Sequence, residues 1–176
     1  GYYIISGGGG VLIEHSDISI SNTSISYNST VERGGGIHFN NQSKLILENV
    51  DIIANSARRG GGIYMSGSSD GLIMDSVNRC NIYSNRALYS NDLFLGYYLS
   101  DSASIIVDTF SVQNPTEFHV YNPSNHAFDI NQAKYSQVNA DLYVSPQGDD
   151  LNSGLSQTDP LKTIHTAFSK MLILYL

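Results

Sequence analysis

Arg33 and Arg59 stand 26 residues apart, and His38 and Tyr64 repeat that interval five positions further on. If the chain returns to the same place with that period, each pair lies on neighbouring rungs about 4.8 Å apart. Two guanidiniums so placed repel one another unless an anion lies between them, and a uronate or sulfate group matches their planar, multi-donor forks. The plainer alternative is that both side chains splay into water. His38 and Tyr64, with Leu12 and Phe94 at corresponding places, would form an outward stripe suited to stacking on sugar rings. Such a stripe can equally be an unspecialised ladder covered by loops. Arg33, Arg59, His38 and Tyr64 are the candidate ligand-binding residues.

A second candidate is a loop. Asp149, Asp150 and Asn152, with Gly154 behind them, place oxygen ligands at short spacing, as a Ca2+ loop does. The set has no further ligand pair and no distal bidentate Glu, so Asx hydrogen bonds that hold a turn are the competing reading. Catalytic carboxylates would have to stack on adjacent coils. The outward column Ser24, Asp51, Asn81 supplies one carboxylate only. Cys80 falls in the inward column with Thr23 and Val50, where a thiol is expected to be buried and inert.

The elements that must position these residues follow from the repeat. The third glycine of each run falls at Gly10, Gly36 and Gly62, two equal intervals, and each run leads into an alternating strand, "VLI", "IHF" or "IYM". Val11, Ile13, Ile37, Phe39, Ile63 and Met65 then share an inward face. A second phrase, apolar-x-x-Asn, ends at Asn28, Asn55 and Asn85. Between the phrases lie "DISIS" at 17–21 and "SKLILEN" at 43–49, so each unit holds about three short strands. Units of this length with Gly and Asn at the corners describe a parallel β-helix, with Ile37 directly over Ile63 and asparagines bonded from coil to coil. In the fourth unit "SNDLFL" at 90–95 replaces the glycine phrase, and the longer interval from Ile63 to Leu93 is assigned to an insertion at 67–71. Further strands are expected at 104–112, 117–122 and 127–131.

Composition narrows the partners. A formal charge of −7 with nine Lys and Arg spread along the chain argues against nucleic acid and against an acidic membrane surface. The sequence has no run of about 18 apolar residues that would span a bilayer. It opens inside a repeat and closes on "MLILYL", which reads as a piece of a longer protein.

From residue 141 the text changes. All four prolines lie at 115 or beyond, a strand at 142–145 leads into a polar loop, and Asp159-Pro160 or Thr163 can start a helix with Ile164, Ala167, Phe168, Met171 and Leu172 on one face. The run "YVSPQGDDLNSGLSQTDPLKTIHTA" resembles the opening segment of secreted right-handed parallel β-helix proteins of the pectate-lyase-like superfamily. Tyr143, Gly148, Asp150, Asn152, Gly154, Pro160, Lys162, Thr163, Ile164 and Ala167 match that pattern. The earlier coils resemble, more loosely, the GG[A/I] and [F/I]xxN repeats of polymorphic outer-membrane and adhesin-like β-helix proteins.

These resemblances imply an all-β fold: a right-handed parallel β-helix over 1–135, then over 136–176 a linker and the truncated strand, loop and capping helix of a second one. They imply a secreted or cell-surface location, with polysaccharide or cell-surface glycan and the neighbouring β-helix domains as partners. The expected role is a non-catalytic stalk or adhesin-like display segment without a cofactor, Ca2+ at 149–152 aside. The alternative is a polysaccharide lyase or glycoside hydrolase whose catalytic coils lie elsewhere in the parent chain.

Overall fold

The computed structural model describes residues 7–40, 43–66, 71–96 and 103–172. In chain order the strands are β1 (Val11–Ile13), β2 (Asp17–Ser26), β3 (Ile37–Asn40), β4 (Lys44–Ile53), β5 (Ser56–Arg59), β6 (Ile63–Ser66), β7 (Leu72–Met74), β8 (Cys80–Tyr83), β9 (Arg86–Tyr89), β10 (Leu93–Leu95), β11 (Ser104–Phe110) and β12 (Ala127–Ala133). One helix, α1 (Ile164–Lys170), follows. Every strand pairing is parallel, and the strands sort into three walls: β1-β3-β6-β10; β2-β4-β8-β11-β12, with β7 also on β4; and β5-β9. The result is a parallel β-solenoid of about four turns.

Register follows the glycine period. Val11 pairs with Ile37, Ile37 with Ile63 and Ile63 with Leu93, so Ile37 does lie one rung from Ile63. The inward side chains of these rungs meet those of the second wall, Leu45, Leu47, Val50, Ile52, Cys80, Ile82, Ile105 and Val107, in one core. Ile37, Phe39, Ile63, Met65 and Ile52 are fully enclosed, each contributing roughly 1.5–3 kcal/mol of apolar burial.

Two sets of corner residues join the walls. At the first, Asn28 Nδ2 donates to Asn55 Oδ1 at 3.0 Å and Asn55 Nδ2 donates to Asn85 Oδ1 at 3.1 Å. The same oxygens accept the backbone N–H groups of Asn28 and Asn55, so each amide closes its own corner and ties it to the next coil. The residue before each asparagine, Tyr27, Ala54 or Ser84, takes a left-handed turn at φ 57–59°.

The second corner is the glycine triplet, and its three members do different work. Only the first, Gly8, Gly34 or Gly60, has positive φ. The second and third are glycine because the next coil passes too close: a Cβ on Gly35 would lie 2.4 Å from the Gly61 carbonyl oxygen, and one on Gly36 would lie 2.7 Å from that of Gly62. In the fourth unit Ser90 takes the left-handed place at φ 54°, while Asn91 and Asp92 carry side chains into space that no glycine coil occupies.

Three expectations need correction. The insertion expected at 67–71, most of which lies outside the described residues, explains only part of the longer third coil: from Asn40↔Ser66 to Leu45↔Leu72 the offset grows by one residue, and the rest of the excess comes later. From Leu47↔Met74 to Asp51↔Asn81 the third coil spends seven residues where the second spends four. Asp75 holds this extra turn by accepting the Val77 and Asn78 N–H groups, and it splits one long strand into β7 and β8. The strand expected at 117–122 is a turn over 117–119 with a single bridge, Val120 to Leu93, because Thr116 C=O accepts the N–H groups of His119 and Val120. The strand at 142–145 reduces to one bridge, Val144 to Leu161.

Candidate functional site

The four candidate ligand residues are neighbours, in an arrangement different from the one expected. Arg33 and Arg59 sit on adjacent rungs, joined by a parallel bridge, and each guanidinium lies against an aromatic ring. Arg33 lies over the ring of Tyr64, 5.2 Å from its centroid, and Arg59 lies 6.0 Å from that of Phe94 and 5.6 Å from that of Tyr89. Each cation reaches one coil along and rests on an aromatic face, which offsets the repulsion a bare pair would suffer.

The aromatic stripe itself is a ladder. His38 meets Tyr64 edge-on at 5.0 Å, Tyr64 stacks on Phe94 at 5.0 Å, and Phe94 stacks on Tyr121 at 4.4 Å. The rings stand on the outer face of the first wall as expected, but His38, Tyr64 and Phe94 are only 1–2% exposed, against 45% for Leu12. The stripe is buried packing over most of its length. Burial, with the charge of Arg33 beside it, lowers His38 to a pKa of about 4, so the ladder is neutral at physiological pH. Glu32 and Arg58 are adjacent through a backbone hydrogen bond without an ion pair between their side chains; the ion pair formed between described residues is Arg79–Asp129.

The 149–152 loop uses its oxygens internally. Asp150 Oδ1 accepts the N–H groups of Lys162 and Thr163 at 3.0 and 2.8 Å, and Oδ2 accepts the Thr163 hydroxyl at 2.9 Å. Burial pushes this carboxyl up, and the hydrogen bonds from Thr163 and Lys162 outweigh it, leaving its pKa below the ordinary value. Asp149 Oδ1 accepts the Leu151 N–H, an Asx turn, and Asn152 Nδ2 donates to the Pro160 carbonyl. Lys170 Nζ donates to the carbonyls of Asn152 and Ser153, both at 3.0 Å, so an ammonium stands where a cation would gather backbone oxygens. Among the described residues no group of three or more His, Cys, Asp or Glu side chains could hold a metal ion. The loop's product is helix α1: Thr163 caps it by accepting the Thr166 N–H, and Asp150 holds Thr163 in place.

The helix packs back on the solenoid. Phe168 stacks on Phe118 at 5.7 Å, His165 lies 5.4 Å from the same ring, and Met171 bridges to Val138. Ala167 is buried, whereas Ile164 at 65% exposure leaves the expected apolar face half uncovered. Around this joint lies a cleft of about 620 Å3, walled by Tyr89, Phe94, Phe118, Tyr121 and Phe168, with Arg59 and Glu117 also lining it. Of the four candidate ligand residues, Arg59 lines this cleft.

A second, polar cleft of about 440 Å3 lies on the outer face of the second wall. The column through Ser24, Asp51 and Asn81 is in register and continues to Thr109 and Gln132. Asn81 Nδ2 donates to Asp51 Oδ1 at 2.8 Å, and Asn81 Oδ1 accepts the Thr109 N–H at 3.1 Å. An irregularity between Val107 and Thr109 adds Asp108 to the same cleft; this one-residue excess, the signature of a β-bulge, was not visible without the register. Asp108 Oδ1 accepts from Asn131 Nδ2, and Lys134 rests over the ring of Tyr83 at 5.3 Å. Beside this cleft Arg79 grips Asp129 with two parallel bonds of 3.0 and 2.7 Å and also donates to the Val107 and Ser76 carbonyls, a clamp across three coils. No spacing rule links residues 50 positions apart, so sequence reasoning had no signal for it.

Cys80 lies in the core as expected, 0% exposed, and burial pushes its thiol pKa up. The fold and these sites define a parallel β-solenoid whose walls carry one aromatic and one polar cleft. Comparison with protein-family models, with curated proteins and with solved structures finds no match to the chain. No helix among the described residues is long and apolar enough to cross a membrane.

Proposed function

We propose that this chain is a non-catalytic stalk or adhesin-like display segment of a secreted or cell-surface right-handed β-helix protein, meeting glycans on the outer face of its second wall, and that residues 136–176 begin a second β-helix. The observation that carries the reading is the way Asp51 is used. It is bonded to Asn81, which is bonded in turn to the Thr109 N–H, so the carboxylate locks rungs together and does not face a second carboxylate in its own column. The remaining lining, with Gln132, Lys134 and Tyr83, offers the mixed amide, ammonium and phenol groups that grip hydroxyls without transforming them.

The enzymatic alternative draws on one feature, the arrival of Asp108 in the cleft that holds Asp51. A pair of carboxylates is the minimum that glycoside hydrolysis needs. Incubating the protein with a panel of neutral and acidic polysaccharides separates the two. Saturable binding with no new reducing ends and no unsaturated uronate is the expected result. Turnover that disappears in the Asp51→Asn, Asp108→Asn double variant would establish the enzyme instead.

A further inference from the structure

The three walls of the solenoid do not end at the same level. The first continues past β10 to Val120, and the second continues through β11 to β12. The third stops at β9, whose strand partner among the described residues is β5 alone. The chain that follows β11 into this wall carries Asn114-Pro115, and proline has no N–H with which to build a rung. It turns instead and rejoins the corner only at its end, where the Asn91 N–H donates to the Phe118 carbonyl at 2.8 Å and the Ser90 hydroxyl donates to that of Glu117 at 3.3 Å. Beside the interrupted rung opens the aromatic cleft, lined by Ala87, Leu88 and Tyr89 of β9 itself.

The edge of β9 is satisfied by a substitute. Asn91 folds back so that its Oδ1 accepts the Ala87 N–H at 2.7 Å, as the carbonyl of a further strand would. The substitute is imperfect, because Asn91 is 2% exposed and its Nδ2 has no hydrogen-bond partner, a costly state for a buried donor. Next to it Leu88 is 70% and Tyr89 50% exposed, an apolar edge of the kind that native sheets cover or pair.

From this interrupted rung, its asparagine stand-in and the ring-walled cleft beside it, we infer that β9 is a docking edge for an extended peptide segment of a partner protein. The segment adds a further strand to the third wall and lodges an aromatic side chain among Tyr89, Phe118 and Phe168. Backbone bonds to β9 supply affinity, and the cleft selects the side chain. A peptide carbonyl that takes over the Ala87 N–H releases the Asn91 amide to find a partner of its own. A sugar offers no repeating N–H and C=O pair to a strand edge, and in this cleft its hydroxyls would face ring carbons. The surface is distinct from the polar cleft on the second wall, so it extends the display reading to a protein ligand.

The test is fluorescence anisotropy of the full chain with a labelled peptide alternating threonine with tyrosine and phenylalanine. Three companions accompany it: the same peptide with alternate amides N-methylated, the Asn91→Ala variant and the Phe118→Ala variant. Saturable binding is expected, weakened about tenfold or more by N-methylation, which removes strand bonds and keeps the side chains. Asn91→Ala should bind several-fold more tightly, because the peptide no longer displaces the amide, and Phe118→Ala more weakly. Circular dichroism and thermal melting check that each variant is folded. An N-methylated peptide that binds as well as its parent, displacement of the peptide by a neutral oligosaccharide, or no saturable binding would each overturn the assignment.

Discussion

Asp92→Asn tests whether the coil corner has been read correctly. Asp92 takes the place of the third glycine, is fully buried, and accepts from Asn85 Nδ2 at 3.1 Å, so it terminates the asparagine ladder. Burial raises its pKa from 3.8 to about 7, with hydrogen bonds from Ser111 and Asn85 pulling the other way. The folded protein therefore holds a proton that the unfolded chain releases. The stability that Asp92 contributes falls as pH climbs from 3.8 to about 7 and is level on either side of that window. At about 1.4 kcal/mol per pH decade, roughly three decades give a ceiling of about 4 kcal/mol. Asparagine keeps the accepting oxygen and never ionises, so the variant should match the wild type near pH 4 and exceed it by up to about 4 kcal/mol near pH 8. Buried His38 and His119 and half-buried His165 act in the opposite sense. Their pKa values, lowered from 6.5 to about 4 chiefly by burial, cost stability as pH falls through that range. Both proteins share them, so subtraction removes their effect. Urea unfolding of both proteins at closely spaced pH values measures the difference. A difference that does not change with pH would refute the assignment of Asp92 as a buried, largely protonated acid.

Asn55→Ala removes a fully buried amide that makes two donor and two acceptor bonds, leaving the Ile25 carbonyl and the Asn28 amide unpaired. A loss of about 3 kcal/mol is expected in urea unfolding, well above that of Asn22→Ala, whose side chain is exposed. Gly35→Ala places a methyl within 2.6 Å of three backbone atoms in the neighbouring turns, Gly61 O, Ser56 O and Ser56 N, and should cost at least about 2 kcal/mol or abolish folding, read by thermal melting.

The parts of this fold that the sequence displays are those the repeat enforces. Glycines at 34–36 and 60–62 and asparagines at 55 and 85 recur because each must meet its own counterpart one rung away, and that demand leaves a period. The start of α1 was legible for a different reason, narrowed to Asp159-Pro160 or Thr163 because helix starts are written locally, and the structure takes Thr163. The covered state of His38 and Tyr64 was not legible, because alternation says which face a side chain takes and nothing about what lies upon that face. The Arg79–Asp129 clamp and Asp108 were hidden by the same rule: both depend on where irregular coils bring the chain back, and a three-residue insertion at 75–79 destroys the interval by which one would count.

The chemistry of this molecule gathers where the period fails, and the reason is steric. Within regular coils the corner cannot carry side chains, since a Cβ at Gly35, Gly36, Gly61 or Gly62 meets the backbone of the next coil. A regular stack is thus bound to be chemically sparse at its corners. Once the fourth coil departs, at Asn114-Pro115, the constraint lifts one level above it, and Ser90, Asn91 and Asp92 appear together. The raised carboxyl of Asp92, the unpartnered Nδ2 of Asn91 and the aromatic cleft beside β9 are three consequences of that single interruption. Restoring the glycines at 91 and 92 would therefore fail to recover a regular corner: the turn through Phe118 and His119 lies where the next glycine coil would pass, and the change would empty the space that the buried Asn91 and Asp92 side chains fill and free the Ala87 N–H that Asn91 now holds.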